Sequence, residues 1–272
     1  MFRVNSETKL FGILGSGIGY TLSPYIRNFV FRLTEFNAVY LVFDVSRDKF
    51  DDVVKGLLVL AKGFNVTTPY KELVVPYLRE LSPAVEKTGA VNTVYEGVGY
   101  NTDYEALKQL VKASLNDLYG MKCLVVGAGG AARASILALA ELGCSVKVFN
   151  RTKSRAKELA FEMRSRSVDV EAEDECKSVY DVILNATPQP EFALRHGCKA
   201  SSLVVDLVYR PVITKLIENA LKEGIKVITG LEVLIRQALL AQSIWQNKDI
   251  TYLESEVNRY LCQEILSGEC LK

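Results

Sequence analysis

The chain carries one histidine, His196, in 272 residues. A single imidazole excludes a metal site built on several histidines and argues against a serine–histidine–aspartate triad, so no metal is expected. Cysteine occurs six times, at Cys123, Cys144, Cys176, Cys198, Cys262 and Cys270, and nowhere as C-x-x-C. With no signal peptide in view, these read as free thiols in a reduced, cytoplasmic compartment, Cys123 and Cys144 packing as small apolar groups. The N-x-T triplets at Asn65, Asn150 and Asn185 are then incidental rather than glycan acceptors. No charge of one sign dominates: 33 Lys and Arg against 32 Asp and Glu leave +1, which excludes nucleic acid or an acidic membrane as a partner held by bulk attraction. No apolar run reaches the ~20 residues of a membrane span, and Leu231 to Trp245 contains Glu232 and Arg236. Repeats and low-complexity linkers are missing too. What remains, at 49% hydrophobic and 24% charged residues, is the composition of an ordinary globular protein long enough for two cores.

The clearest pattern runs from Met121 to Thr152. Cys123 to Val126 is an apolar β-rich run, and Gly127-Ala128-Gly129-Gly130-Ala131-Ala132 breaks it. Ala131 to Leu142 then reads as a helix stopped by Gly143, and Ser145 to Phe149 is β-rich again. This is G-x-G-x-x-A between a strand and a helix, the setting in which a dinucleotide pyrophosphate is held. Gly127 permits the tight turn, Gly129 lets backbone approach the phosphates, and Ala132 lets the helix pack on the strand. The N–H groups and dipole of the helix N-terminus then meet the phosphate charge. Gly127, Ala128, Gly129, Gly130 and Ala131 are the candidate phosphate-binding residues.

The end of the second strand selects the cofactor. An NAD enzyme usually carries an acid there for the ribose 2′-hydroxyl; this chain has Asn150-Arg151-Thr152-Lys153-Ser154-Arg155. An acid would repel a 2′-phosphate, whereas Arg151 offers it a planar fork and Thr152 a hydroxyl. The cofactor expected is NADP.

Elsewhere apolar strands alternate with amphipathic helices. Strands are predicted over Leu10–Gly15, Val39–Val45, Phe64–Val66, Asp181–Ala186, Leu203–Val208 and Lys226–Ile228. A hairpin turns at Glu96-Gly97, and Ser46 is a candidate N-cap for the helix through Phe50, Val54 and Leu57. Helices from Leu231 to Trp245 and from Tyr252 to Leu266 finish the chain. The fold class is α/β in two domains, one with the glycine fingerprint and one without, facing across a cleft lined by loops at strand ends.

Polar residues of the first half collect in those loops: Thr21 and Ser23; Asn65, Thr67 and Lys71; Asn92, Asn101 and Asp103. Taken singly, each is a cap or turn former, Asp103 being a good N-cap. Together they supply what a small polyhydroxylated acid needs: hydroxyls and an ammonium for its carboxylate and carbonyl, amides and a carboxylate for its hydroxyls. Hydride transfer to a ketone leaves an alkoxide needing a proton. With no suitable histidine, Lys71 is the best donor, and Asp103, if close, would orient it. The plainer alternative is a surface ion pair of little consequence.

These motifs resemble the shikimate dehydrogenase family over nearly the whole length. Thr21-Leu22-Ser23-Pro24 is similar to its S-x-S-P carboxylate loop, and Asn65 to Lys71 keeps its N-V-T-x-P-x-K, which implies Lys71 as catalytic lysine. Gly89 to Thr93 keeps G-A-V-N-T with Asn92 as a substrate ligand, and Asn101-Thr102-Asp103 keeps N-T-D with Asp103 as catalytic aspartate. Gly127 to Arg133 and Asn150-Arg151-Thr152 with Arg155 resemble its cofactor motifs, and Asn185-Ala186-Thr187-Pro188 its loop near the nicotinamide. Asp206 to Thr214 resembles the segment that brings Tyr209 to substrate, and Gly230 to Gln237 the one whose glutamine contacts substrate.

The resemblance implies NADPH-dependent reduction of 3-dehydroshikimate to shikimate in aromatic amino-acid biosynthesis. Thr21, Ser23, Thr67, Lys71, Asn92, Asp103, Tyr209 and Gln237 would bind substrate. Asn150, Arg151, Thr152, Arg155, Thr187 and Gly230 would join the phosphate turn in binding NADP. It implies a discontinuous substrate domain, residues 1–102 plus 234–272, a Rossmann-type NADP domain at 103–233, and a monomer or homodimer. Five positions depart from the pattern: Thr21 for serine, Arg27 for histidine, Ala106 for glycine, Pro190 for glycine and Val233 for methionine. Arg27 would add a positive charge near the cleft, and Pro190 and Val233 bear on the nicotinamide end. A quinate/shikimate enzyme using NAD is disfavoured by Arg151, and a non-catalytic NADP sensor by the presence of both Lys71 and Asp103. Glutamyl-tRNA reductase shares an N-R-T turn but needs a cysteine near the N-terminus, and the first here is Cys123.

Overall fold

Apolar, β-branched segments become parallel strands, and glycine, proline and Asx/Ser/Thr residues end them. The computed structural model describes residues 4–176, 178–189, 191, 196–266 and 270. It divides into two units, Met1–Thr102 with Ile235–Ile265, and Asp103–Leu234 with Leu266–Lys272.

The first unit contains β1 (Lys9–Gly15), α1 (Ser23–Leu33), β2 (Ala38–Asp44), α2 (Phe50–Leu60), β3 (Gly63–Val66), β4 (Glu80–Leu81), α3 (Pro83–Thr88), β5 (Thr93–Tyr95) and β6 (Val98–Tyr100). The strand order is β2-β1-β3-β5-β6-β4. β1 is parallel to β2 and β3, and β5 and β6 run antiparallel as the expected hairpin. Its two turn residues, Glu96 and Gly97, both have positive φ, the backbone that matches strand twist in a two-residue hairpin. One apolar cluster packs Phe50, Val54, Phe64, Val66 and Tyr70. Another packs Phe11, Phe31 and Tyr40 with Trp245 from the returning chain, whose ring lies 4.7 Å from Phe11 and whose indole N–H donates to the Val94 carbonyl at 3.2 Å.

The second unit follows α4 (Thr102–Ser114) with β7 (Lys122–Val126), α5 (Gly130–Glu141), β8 (Ser145–Phe149), α6 (Lys153–Ser165), β9 (Glu171–Glu173), β10 (Val179–Asn185), β11 (Lys199–Asp206), α7 (Lys215–Lys222) and β12 (Lys226–Ile228). Its sheet is parallel throughout, in the order β12-β11-β10-β7-β8-β9. The order reverses between β7 and β10, the position where doubly wound sheets bind nucleotides. The expected α/β class is therefore observed, and each unit has its own sheet and core. Helix α8 (Gly230–Gln246) starts in the second unit and continues in the first. It opens on a capping box: Glu232 accepts from the Thr229 N–H at 2.7 Å while Thr229 Oγ1 accepts from the Glu232 N–H at 3.3 Å. The chain then passes through α9 (Glu254–Tyr260).

Several local expectations are corrected. Ser46 precedes a short 3₁₀ turn, Arg47–Lys49, and makes no side-chain cap; α2 starts at Phe50. Helix α4 begins at Thr102, so Asp103 lies in its first turn rather than capping it. The predicted helix from Tyr252 to Leu266 is broken into a 3₁₀ turn, α9 and one π-helical turn.

The reading of the cysteines as free thiols is overturned: Cys176 and Cys198 form a disulfide, and Cys262 and Cys270 are also disulfide-bonded. Cys176 and Cys198 stand just before β10 and β11, neighbouring parallel strands in the register Val179↔Lys199. A pairing made by strand order leaves no mark in the spacing of the cysteines. Cys123 and Cys144 stay reduced, and a hydrogen bond to Cys144, with burial, pushes the Cys123 thiol up, away from the reactive thiolate. Among the described residues no helix is long and apolar enough to cross a membrane.

Candidate functional site

In the second unit, the candidate cofactor residues converge at the carboxyl edge of the parallel sheet. The Gly127 N–H donates to the Phe149 carbonyl at 2.8 Å and the Ala186 N–H to the Val126 carbonyl at 2.8 Å, so the turns after β7, β8 and β10 are stitched together. Gly127 has φ +119°, and a Cβ there would lie 3.1 Å from the Ala186 carbonyl; only glycine fits. Gly129 has open space where a Cβ would go, with the N-terminus of α5 directly behind it. That combination is a backbone cradle for an anion.

Beside it, a cavity of about 170 Å³ is lined by Asn150, Arg151, Thr152, Arg155, Thr187, Pro188 and Gln189. Five of the predicted NADP residues are thus brought together, with two arginines and, among the described residues, no carboxylate in the lining. Asn150 Nδ2 donates to the Thr152 carbonyl at 3.0 Å and holds the turn. On the other side, Thr187 Oγ1 donates to Asn185 Oδ1 at 2.8 Å, and Asn185 Nδ2 donates to Asp206 at 2.9 Å. Asp206 is buried and also accepts from Thr214 at 2.6 Å; burial raises its pKa despite these donors. Gly230 is placed by sterics, for a Cβ there would lie 2.4 Å from the Val208 carbonyl oxygen. Tyr209 follows Val208, half-buried.

A neighbouring cavity of about 350 Å³ shares Asn150 and Arg151 with the first and adds Asp174, Glu175, Cys176 and His196, four residues the sequence reading did not place at the site. His196 meets Phe149 edge-on at 5.3 Å.

In the first unit, the loops after β1 and β3 lie together: the Thr67 N–H donates to the Leu14 carbonyl at 2.9 Å and the Ser16 N–H to the Thr68 carbonyl at 3.1 Å. Thr21 Oγ1 and Ser23 Oγ are 3.2 Å apart, and Thr21 Oγ1 also accepts from the Ser23 N–H, so the pair forms one hydroxyl patch at the start of α1. Lys71 is half-buried and set by its neighbour: Tyr70 is fully buried, stacks on Phe50 at 4.5 Å and donates to the Val45 carbonyl at 2.6 Å. The Lys71 carbonyl accepts from the Val91 N–H at 2.8 Å.

Asn92 is 3% exposed. Its Oδ1 accepts from the Thr102 N–H at 2.7 Å and its Nδ2 donates to Thr102 Oγ1 at 3.0 Å, which fixes the backbone that leads into Asp103. The chain of bonds continues backwards, from Asn65 Nδ2 to Thr93 at 3.0 Å and from the Tyr40 hydroxyl to Asn65 Oδ1 at 2.7 Å. Tyr40, Thr93 and Thr102 were missed in the sequence because each reads as an ordinary strand or turn residue. Gln237 is 8% exposed on α8. Lys71 belongs to the first unit, and Asp103 is the first residue of the second.

Ala106 and Val233 are buried helix residues, Arg27 is 1% exposed, and Pro190 lies outside the described residues.

The fold and the glycine turn define the class as a two-unit α/β protein of the dinucleotide-binding kind. Residues 13–94 match the family model for the shikimate dehydrogenase substrate binding domain, and residues 109–208 that for shikimate / quinate 5-dehydrogenase. The chain is 49% identical over 261 residues to the shikimate dehydrogenase (NADP(+)) of Sulfolobus acidocaldarius, covering 96% of this chain and 97% of that one. It is 45% identical to the shikimate dehydrogenase of Sulfurisphaera tokodaii with the same coverage. The crystal structure of shikimate 5-dehydrogenase from Thermus thermophilus in complex with NADP(H) and shikimate superposes with a TM-score of 0.79 at 31% identity, covering 93% of this chain and 99% of that one. The chain belongs to the shikimate dehydrogenase family.

Proposed function

We propose that this chain catalyses the reversible NADP-dependent interconversion of 3-dehydroshikimate and shikimate, with Lys71 and Asp103 handling the proton. It is an oxidoreductase acting on a CH–OH group, in the pathway to aromatic amino acids. The observation that carries the cofactor assignment is the cavity at the end of β8, with Arg151 and Arg155 and no carboxylate among its described lining residues. Such a donor set suits a 2′-phosphate; Asp174 and Glu175 line the neighbouring cavity that shares Arg151.

NADP supplies and accepts the hydride when bound. The backbone cradle at Gly129 and the α5 N-terminus hold its pyrophosphate. The Thr21 and Ser23 hydroxyls donate to the substrate carboxylate, and Thr67, Asn92, Tyr209 and Gln237 bind the remaining oxygens. Hydride addition at the ketone carbon makes its oxygen an alkoxide, to which Lys71 gives a proton from its ammonium. In the oxidative direction the neutral amine takes that proton back. Asp103 orients the ammonium and the reacting hydroxyl. A positioned acid–base of this kind contributes about 10²–10⁴ in rate. The same Lys–Asp machinery would be superfluous in a non-catalytic sensor.

The test is reduction of NADP and of NAD in parallel by purified protein with shikimate, for the natural chain and for Arg151→Asp. Turnover preferring NADP is expected, and the variant loses about 10–100-fold in kcat/KM for NADP, the worth of one or two charge-assisted hydrogen bonds, with little change for NAD. No turnover despite NADP binding would refute the activity. An unchanged preference in the variant would refute the 2′-phosphate assignment.

A further inference from the structure

Among the described residues, Arg27 is the one fully buried guanidinium of the first unit. It sits 5.1 Å from the Trp245 ring and 5.7 Å from the Tyr40 ring. One of its terminal nitrogens donates to the Ala238 carbonyl, and the other stands 3.5 Å from Gln237 Oε1. The backbone closes the clamp from the other side, since Gln242 Nε2 donates to the Arg27 carbonyl at 3.2 Å. Helix α1, which starts at Ser23, is thereby tied three times to the stretch of α8 that carries Gln237.

A carboxamide has an oxygen end and a nitrogen end of nearly the same shape, and its environment must choose between them. A guanidinium settles the choice because it has five donors and no acceptor. Only Oε1 can face it, so Nε2 is left as the donor end of Gln237. Tyr40 shares the same surroundings: burial pushes its hydroxyl up to about 12 against the opposing pull of Arg27 and Ser23, so it stays a neutral donor and holds Asn65.

We propose that Arg27 is a positioning residue for the substrate site: it fixes the amide of Gln237 with Nε2 as donor and sets the spacing between Ser23 and Gln237. This rests on the reading above that Ser23 and Gln237 hold substrate. Arg27 touches neither substrate nor cofactor in this role, and it acts on affinity for the hydroxy acid.

The test is a double-mutant cycle on Arg27→Lys and Gln237→Ala, reading KM for shikimate, KM for NADP, kcat and melting temperature. Lysine keeps the charge but, as a point donor, cannot hold the Ala238 carbonyl and Gln237 Oε1 in one plane. Arg27→Lys is expected to raise KM for shikimate about 10-fold, with kcat within about 3-fold and KM for NADP unchanged, a cost of the size that lost orienting bonds produce. In the Gln237→Ala background the same change should add less than about 2-fold, because the residue it acts through is gone. If the two penalties multiply in full, the positioning role fails while the substrate role of Gln237 stands. If Gln237→Ala alone leaves KM for shikimate untouched, the substrate role of Gln237 fails and the positioning role with it. Should Arg27→Lys not fold, Gln242→Met loosens the clamp from its other side, and the same cycle against Gln237→Ala decides by the same criterion.

Discussion

Gly129 and Gly230 are both small residues at helix starts in the second unit, yet alanine should have opposite consequences at each. At Gly230 a methyl group would lie 2.4 Å from the Val208 carbonyl oxygen, 2.5 Å from its carbon and 2.8 Å from the Leu207 carbonyl carbon. All three are backbone atoms, so no side chain can rotate away, and relief requires the loop after β11 and the start of α8 to part by about 1 Å, an overpacking cost of ~1–3 kcal/mol. The helix propensity of alanine offsets about 0.5–1 kcal/mol of that. For a chain of this size the net loss lowers the melting temperature by about 2–8 °C. At Gly129 nothing lies within 4 Å of the new carbon, and the backbone (φ −109°, ψ −171°) is open to alanine. The gain from a stiffer unfolded chain and the loss of a good N-cap residue roughly cancel, leaving stability within about 1 kcal/mol. The methyl instead occupies the open space proposed above for the pyrophosphate, and NADP affinity is expected to fall about 10-fold or more. Differential scanning fluorimetry without ligand and calorimetric titration with NADP separate the two effects. Gly230→Ala melting with the natural protein, or Gly129→Ala binding NADP as tightly, would refute the steric reasoning.

Replacing Lys71 with alanine should lower kcat by about 10²–10⁴ while shikimate binding, read by fluorescence or calorimetry, weakens far less, since the charge Lys71 meets develops in the transition state; equal losses in both would end its assignment as proton donor. The double variant Cys176→Ser, Cys198→Ser opens a loop closed across 22 residues, and chain entropy puts its loss at ~3 kcal/mol. Urea unfolding of the double variant and of the natural protein, both without reductant, should show that loss, whereas superimposable curves would show that the bond adds nothing.

The nucleotide unit was legible because its signals are local. Gly127, Gly129 and Ala132 owe their identities to one turn, and Arg151 to the end of one strand. The meeting of Arg151 with Thr187 follows from parallel strand order. What escaped the sequence depends on partners far along the chain. Strand β9 is the acidic stretch Glu171–Glu173, without an apolar stripe; Glu173 is accommodated by Lys147 at 2.8 Å and Tyr180 at 3.0 Å, neither of which the stretch itself announces. Helix α3 and the two-residue β4 are too short to carry a period. Arg27 was expected as a positive charge near the cleft, and only Trp245, from the other end of the sequence, shows it to be caged. The tie from Tyr40 through Asn65, Thr93 and Asn92 to Thr102 joins residues whose types are common in any strand or turn.

The first unit is not contiguous: its sheet is made by residues up to Thr102, while Trp245 and Gln237 arrive with Ile235–Ile265. A ribosome therefore releases the amino-terminal sheet with Phe11, Phe31 and Tyr40 lacking the indole that covers them, and must make the whole middle of the polypeptide before the lid for that surface exists. At ordinary elongation rates the wait is about 7–30 s. The earliest-made part of the protein is thus the last to be finished, and a nascent chain stopped short of Trp245 carries its amino-terminal sheet without the indole that packs on Phe11, Phe31 and Tyr40.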